Sequence, residues 1–228
     1  MPELDALAAY PLAPSEIILL NGEAFAPPPG LTDPLALLHT AGAVSAAALA
    51  RAMLAAAFLA AEQAGALRLD VRPKPTPFGP SKVRTLYAEP GEADPAWPAH
   101  SLEARLRLPA GASLEVSVLV PELLEADAPN PWHHAAEVVK RGLARRGLLE
   151  TVEVVQFGFV KAQTYRLPEA TRALAAQGPV ETVRGLLSAC ERDRPEVWAQ
   201  LGQQIDAGLR ARLKPGAPAP ARKADEDE

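Results

Sequence analysis

The side chains in this sequence that could carry catalysis or bind a metal are few. His133 and His134 are adjacent, and Cys190 is the one cysteine of the chain. Consecutive residues on a helix point about 100° apart, so the two histidines cannot both face one metal ion unaided. A cysteine without a base partner is expected to be a small buried thiol. No glycine-rich phosphate loop, nucleophile elbow or zinc-protease pattern occurs. We therefore expect a protein that is not an enzyme, with no cofactor and no metal.

Basic side chains are the second group that could do chemistry, and they cluster in one stretch accompanied only by Asp70 and a potential apolar tip at Phe78. The predicted ligand-binding residues are Arg68, Arg72, Lys74, Lys82 and Arg84. Such a surface can contact the phosphates of DNA or lie against an anionic bilayer. The alternative without a ligand is a solvated hairpin edge, kept basic to block strand pairing.

A second basic cluster precedes Gly147 and consists of Lys140, Arg141, Arg145 and Arg146. Cations near the C-terminus of a helix interact favourably with its dipole. Structure alone can therefore explain this cluster, and we assign it no ligand.

Two similar units of helix, glycine and hairpin are expected to position these residues. The first has a helix from Ser45 to about Gln63, ended by Ala64-Gly65, followed by alternating apolar and polar residues over 66–72 and 82–87. The second has a helix over 131–146, Gly147, and strands over 148–155 and 159–167. The pattern predicts a pair of winged elements rather than a solenoid.

Further elements complete the prediction. Thr32 and Asp33 can cap a short helix with Pro34 at its first position. Alternation on both sides of residues 109–112 predicts a third hairpin over 102–120. Helices are expected over 168–177, 179–189 and 195–213. The expected core residues are Leu49, Met53, Phe58, Leu67, Leu69, Val138, Leu143, Leu149 and Leu186.

Length and composition limit the fold class and the partners. The 228 residues are 48% hydrophobic and 22% charged, as in an ordinary globular protein. We expect a mainly α fold with β-hairpins, of the α+β class, in a single helical domain. Its predicted parts are an N-terminal arm with a Pro-rich linker over 1–30, the domain over 31–214, and a disordered acidic tail over 215–228. A net charge of −5 argues against coating nucleic acid by charge alone.

The sequence shows no basic leader and no uninterrupted apolar run of about 18 residues. The richest apolar stretch, residues 41–67, contains Arg51, Glu62 and Gln63 and is expected to be a buried helix. We therefore expect a cytoplasmic protein without a signal peptide or membrane span.

The order of these motifs resembles the Golgi phosphoprotein 3 family, peripheral adaptors with bacterial relatives. The similar segments, which lie within residues 16–190, are the small-residue turn with Leu-Arg-Leu-Asp over 64–70, the basic hairpin with Pro-Gly-Glu-Ala-Asp over 90–94, Asn130-Pro131, the segment over 143–150 and Tyr165-Arg-Leu-Pro168. The resemblance implies a mainly helical domain that binds an anionic phosphoinositide headgroup and a protein partner at the membrane periphery.

The sequence departs from that family where its lipid pocket would lie. The family uses a tryptophan and an arginine in the N-terminal helical part, and two arginines early in a later helix. Here residues 31–58 contain no tryptophan and only Arg51, and the later helix starts Trp132-His133-His134. We therefore expect a distant bacterial relative with a different ligand.

Two other functions remain open at this point. One is a paired winged-helix protein that binds DNA or associates with the chromosome, although the expected first helix presents mostly alanine. The other is a structural interaction module of a larger assembly, with exposed hairpins as contacts. Nucleic acid is the less favoured partner, and the sequence leaves the oligomeric state open.

Overall fold

Eight helices and three small antiparallel sheets form the fold in a computed structural model that describes residues 10–31, 33–77, 79–156 and 160–213. Helices hold 50% of the residues and strands 20%, which confirms the predicted α+β class. The helices are α1 (Pro14–Leu20), α2 (Ala46–Gln63), α3 (Leu102–Arg105), α4 (Val116–Leu124), α5 (Pro131–Arg145), α6 (Glu169–Ala176), α7 (Val180–Asp193) and α8 (Pro195–Ala211). The strands are β1 (Pro34–Ala36), β2 (Ala43–Ser45), β3 (Leu67–Thr76), β4 (Gly79–Pro90), β5 (Leu114–Glu115), β6 (Glu150–Gln156) and β7 (Val160–Arg166).

Helix α2 lies at the centre and packs against α1, α5, α7 and α8. Its N-cap, Ser45, accepts a hydrogen bond from the Ala48 amide, and the helix ends before Gly65, whose φ is +75°. Many of its residues are alanine, so neighbouring helices can approach closely. Its length and mean hydropathy of 1.3 would allow it to cross a membrane, but 67% of it is buried inside the fold. Burial of this kind is compatible with the core helix of a soluble protein.

Both predicted units of helix and hairpin are confirmed. The α2 helix leads through Gly65 into the antiparallel pair β3–β4, and β5 adds two residues to the outer edge of β4. The α5 helix leads through Gly147, at φ +72°, into the antiparallel pair β6–β7. The third sheet is the short hairpin β1–β2.

The structure corrects the predicted third hairpin over 102–120. Helix α3 starts there, β5 has only two residues, and α4 follows directly. The buried positions of α4 are Val116, Leu119, Val120, Leu123 and Leu124. They follow the helical spacing of three and four, which the alternation at 114, 116, 118 and 120 concealed. Val118 belongs to that alternation and is 48% exposed.

The predicted short helix at Pro34 is also wrong, because residues 34–36 form β1 and pair with β2. Asp33 caps a different helix: its carboxylate accepts hydrogen bonds from the Ser45 hydroxyl at 2.8 Å and the Ala47 amide at 2.9 Å, at the start of α2. Thr32 lies outside the described residues. A cap residue and proline predict a helix start, but they do not reveal which helix the cap serves.

Helix α1, which falls in the expected N-terminal arm, belongs to the core. All seven residues of α1 are buried, and the helix packs against α2 and α5. The proline-rich stretch over 27–29 is therefore a connection within the packed body. Eight of the nine expected core residues are buried, while Leu186 is half-buried against the core. The predicted tail over 215–228 lies outside the described residues.

Candidate functional site

The hairpin β3–β4 carries the five predicted ligand-binding residues. Near the body its apolar side chains, among them Leu67, Leu69, Leu86 and Ala88, are buried in the core. Farther out, every described side chain from residue 73 to residue 84 is exposed. We call residues 73–84 the distal arm. The hairpin is thus anchored at its base and open to partners at its far end.

The outer edge of β3 is protected against pairing with another strand. The Leu69 amide points away from β4 and donates to Glu62 Oε1 at 3.0 Å. Pro73 lies four residues farther along the same edge and has no amide hydrogen to donate. The register then shifts between Pro73 and Pro75. An edge strand avoids pairing with another strand when its amides already have acceptors, when it contains proline and when its register is irregular.

The cations near the base of the hairpin form an ion-pair network. Register places Glu89 opposite Arg68, and its carboxylate pairs with Arg68 and, at 2.7 Å, with Arg72. The Arg72 guanidinium also lies 4.2 Å from the ring centre of Tyr87 and donates to the Ser113 hydroxyl. Hydrogen bonds from Arg68 and then Arg72 hold the pKa of Glu89 below its ordinary value. Arg72 is therefore held in place by contacts within the protein.

The cations of the distal arm are more loosely engaged. Lys74 pairs with Glu115 at 2.8 Å, and Arg84 pairs with Glu196 at 3.0 Å. Both side chains are about half exposed, at 51% and 50%. Lys82 is exposed and forms no ion pair with the described side chains. Exposed ion pairs stabilise a fold by only about 0–1 kcal/mol, so these cations can exchange a carboxylate for an external anion.

The structure divides the predicted patch instead of presenting it as one surface. Arg72 is opposite Thr85, so these two side chains share a face and Arg84 lies on the other face.

Four carboxylates accompany the five cations and leave an excess of one positive charge; they are Asp70, Glu89, Glu115 and Glu196. The hairpin register could have revealed Glu89 from the sequence. Glu115 and Glu196 lie on β5 and α8, and no sequence pattern near the hairpin indicates that they pair with its cations.

Histidine and cysteine are placed as structural residues. Burial lowers the pKa of His133, and His134 Nε2 lies 3.0 Å from the carbonyl oxygen of Leu124. Cys190 is buried, and burial raises the pKa of its thiol. Within the described part of the chain, no group of three or more histidine, cysteine or acidic side chains could hold a metal ion.

A buried charge cluster joins α1 to the rest of the fold, and the sequence did not suggest it. Glu16 and Glu103 are 0% and 1% exposed. Glu103 accepts from the Ser15 amide and hydroxyl, both at 2.8 Å, while Glu16 accepts from the Ala13 amide at 2.9 Å and pairs with Arg146. Burial, partly offset by Arg146, raises the pKa of Glu16 to about 7. These contacts fasten α1 to α3 and to the residue that follows α5.

A cleft of about 390 Å³ lies where α3 and the loop after it meet α4. Leucines line its walls. Its two arginines are engaged, Arg105 with Glu125 at 2.6 Å and Arg107 with Asp94 at 3.0 Å. The cleft therefore adds no free cation to the surface of the distal arm.

Comparison of the chain with protein-family models, curated proteins and solved structures found no significant match.

Proposed function

We propose that the protein is a non-enzymatic peripheral membrane adaptor that binds anionic lipid headgroups through the distal arm and also binds a protein partner, as the resemblance to the Golgi phosphoprotein 3 family implies. One observation carries the proposal: the distal arm is exposed along its described length and holds Lys74, Lys82 and Arg84. The sequence has no acidic residue from Val71 to Ala88. The distal arm thus holds three cations and no acid of its own.

The energetics favour a membrane surface over a deep pocket for this arm. A lysine or arginine near an anionic bilayer contributes about 1 kcal/mol. Lys74, Lys82 and Arg84 together supply at most about 3 kcal/mol, roughly a hundredfold in affinity, when Lys74 and Arg84 exchange their carboxylates for lipid headgroups. That contribution is enough for reversible association, and salt should weaken it.

The two hairpins share a sequence feature that supports the same function. The sequence repeats the spacing Phe-Gly-x-x-Lys at residues 78–82 and 157–161. Aromatic residues favour the interface between lipid and water, and lysines favour anionic headgroups. This combination of residue types therefore suits contact with a membrane surface.

The described structure does not favour the DNA-binding alternative. A recognition helix must present its side chains to the major groove. In α2, which precedes the basic hairpin, all residues from Met53 to Ala61 are buried. The interaction module remains the second candidate, because Val154 of the β6–β7 hairpin is 40% exposed.

Vesicle flotation at low salt tests the proposal. The test variant changes Lys74, Lys82 and Arg84 to glutamate and leaves Arg72 in place, because Arg72 packs on Tyr87. We expect it to bind vesicles of phosphatidylserine and phosphatidylcholine at least about a hundredfold more weakly than the wild type. The wild type should not bind vesicles of phosphatidylcholine alone.

The control variant changes Arg107, Arg172 and Arg192 to glutamate; these exposed arginines lie outside both hairpins. It makes the same change in net charge and should retain most of the binding. Equal binding by the wild type and the distal-arm variant would contradict the proposal. Retardation of DNA at matched salt, without vesicle binding, would favour the winged-helix alternative.

A further inference from the structure

The leucine-lined cleft between α3 and α4 has no role in the proposed function. Its volume of about 390 Å³ lies within the range of small-molecule sites. Its leucines come from the loop after α3, from β5 and from α4; they are Leu106, Leu108, Leu114, Leu119 and Leu123. Folded proteins usually fill the space between apolar side chains with their own atoms. A cleft with leucine walls is therefore suited to an apolar ligand.

Arg105 joins the two sides of this cleft. It is the last residue of α3, and its guanidinium donates to Glu125 Oε1 at 2.6 Å and to the carbonyl oxygen of Leu123 at 3.3 Å. Glu125 follows α4 and has a φ of +67°, a left-handed value that favours glycine. These contacts tie the end of α3 to the end of α4. A ligand thus meets walls that are already in place, which lowers the entropic cost of binding.

One charge at the cleft has no partner. Arg105 pairs with Glu125, and Arg107 pairs with Asp94 at 3.0 Å. Glu122 also lines the cleft, is exposed to solvent, and forms no ion pair with the described side chains. The chain holds 28 acidic and 23 basic side chains, so an unpaired glutamate is unremarkable by itself. Its position beside the leucines gives the cleft one uncompensated negative charge.

The surface around the cleft favours a small ligand over a protein partner. A specific protein interface needs about 800 Å² from each side. Four large apolar side chains of the described residues are strongly exposed, and of these only Val118 lies on an element that lines the cleft. The apolar surface is thus inside the cleft rather than around it.

We propose that the cleft binds a small apolar molecule that carries one cationic group, such as an alkylamine. The apolar part contacts the leucines, and the ammonium group pairs with Glu122. An anionic molecule of the same shape is disfavoured, because its charge would lie close to that carboxylate. The site lies outside the distal arm, and its binding of a ligand does not depend on the proposed membrane function.

An NMR titration of the full chain with three probes of equal chain length tests this proposal. Octylamine is cationic at neutral pH, octanol is neutral and octanoate is anionic. Octylamine should shift the amide signals of residues 106–108 and 119–123 and bind about threefold more tightly than octanol. Octanoate should bind more weakly than octanol. Hexylamine should bind about tenfold more weakly than octylamine, because it places two fewer methylene groups against the leucines.

Glu122→Gln separates the effect of the charge from that of the apolar contacts. It should weaken the binding of octylamine about threefold and leave the binding of octanol unchanged. The control Glu191→Gln removes another exposed helical glutamate that has no ion pair among the described side chains, and it should change neither affinity. Leu108→Ser, at a half-buried position, should weaken the binding of both probes by a similar factor.

Three results would overturn the proposal. The first is the absence of shifts around the cleft with octylamine. The second is equal binding of octylamine and octanol by the wild type, or tighter binding of octanoate. The third is a preference for octylamine that Glu122→Gln leaves unchanged, because the charge recognised would then lie elsewhere.

Discussion

Glu16 should make the stability of the protein fall as pH rises. Its carboxyl group is 0% exposed, and burial raises its pKa from 4.5 to about 7, although Arg146 lowers it in part. The folded state therefore holds this proton more tightly than the unfolded state. Stability from Glu16 is fully present below pH 4.5 and is lost as pH rises to about 7.

The magnitude follows from the two pKa values. Each pKa unit corresponds to about 1.4 kcal/mol, so ionisation of Glu16 removes about 3 kcal/mol in total. Most of this loss falls between pH 5 and pH 8. Glu103 acts in the same direction, because burial raises its pKa, whereas Glu23, Glu89 and Asp193 act in the opposite direction, because their pKa values are lowered. The comparison must therefore isolate Glu16.

Urea denaturation of the wild type and Glu16→Gln from pH 5 to pH 8 provides that comparison. Glutamine imitates the protonated carboxyl group at every pH. The free energy of unfolding of the variant, minus that of the wild type, should rise by about 2–3 kcal/mol over this range. Glu169→Gln, at an exposed position, should show no such rise. A difference for Glu16→Gln that stays constant with pH would refute the reasoning.

Three other predictions concern the packing of the chain. Leu143→Ala should lower the free energy of unfolding by about 2–5 kcal/mol, because Leu143 is 0% exposed. The control Val118→Ala, at a 48% exposed position, should lower it by less than about 1 kcal/mol, and urea denaturation measures both. Gly91→Ala should destabilise by about 1–3 kcal/mol in the same assay, since its Cβ would lie 2.0 Å from the carbonyl oxygen of Gly65. Deletion of residues 215–228 should leave the Tm within a few degrees of the wild type, because a segment so polar and rich in proline is expected to make few packed contacts. A larger drop in Tm, measured by calorimetry, would show that the segment packs against the folded domain.

The parts of the fold that the sequence predicted are those with strong local signals. Ser45 and Gly65 mark the ends of α2, and alternation on both sides of a proline-rich stretch marks the hairpin β3–β4. The errors arose where a local signal was compatible with two structures. In α4, apolar residues two apart also fit a helical stripe, and packing against α8 selects the helix.

The candidate site was less predictable because electrostatics depends on distant partners. Sequence reasoning found all five cations of the hairpin β3–β4, but Glu115 and Glu196 reach them from other elements. For Arg141 and Arg146, sequence reasoning could not distinguish a free cation from one that pairs with the buried Glu16. Spacing reveals which charges lie near each other along an element, whereas the fold determines which of them are neutralised.

The central claim is that the distal arm contacts an anionic membrane surface. NMR with anionic bicelles that carry a spin-labelled lipid tests it most directly, because the label broadens the amide signals of residues close to the bilayer. We expect the strongest broadening in residues 73–84, with Lys82 and Arg84 among the most affected, and we expect it to disappear when salt screens the charges. Broadening confined to residues outside both hairpins, or no broadening at low salt, would contradict the claim.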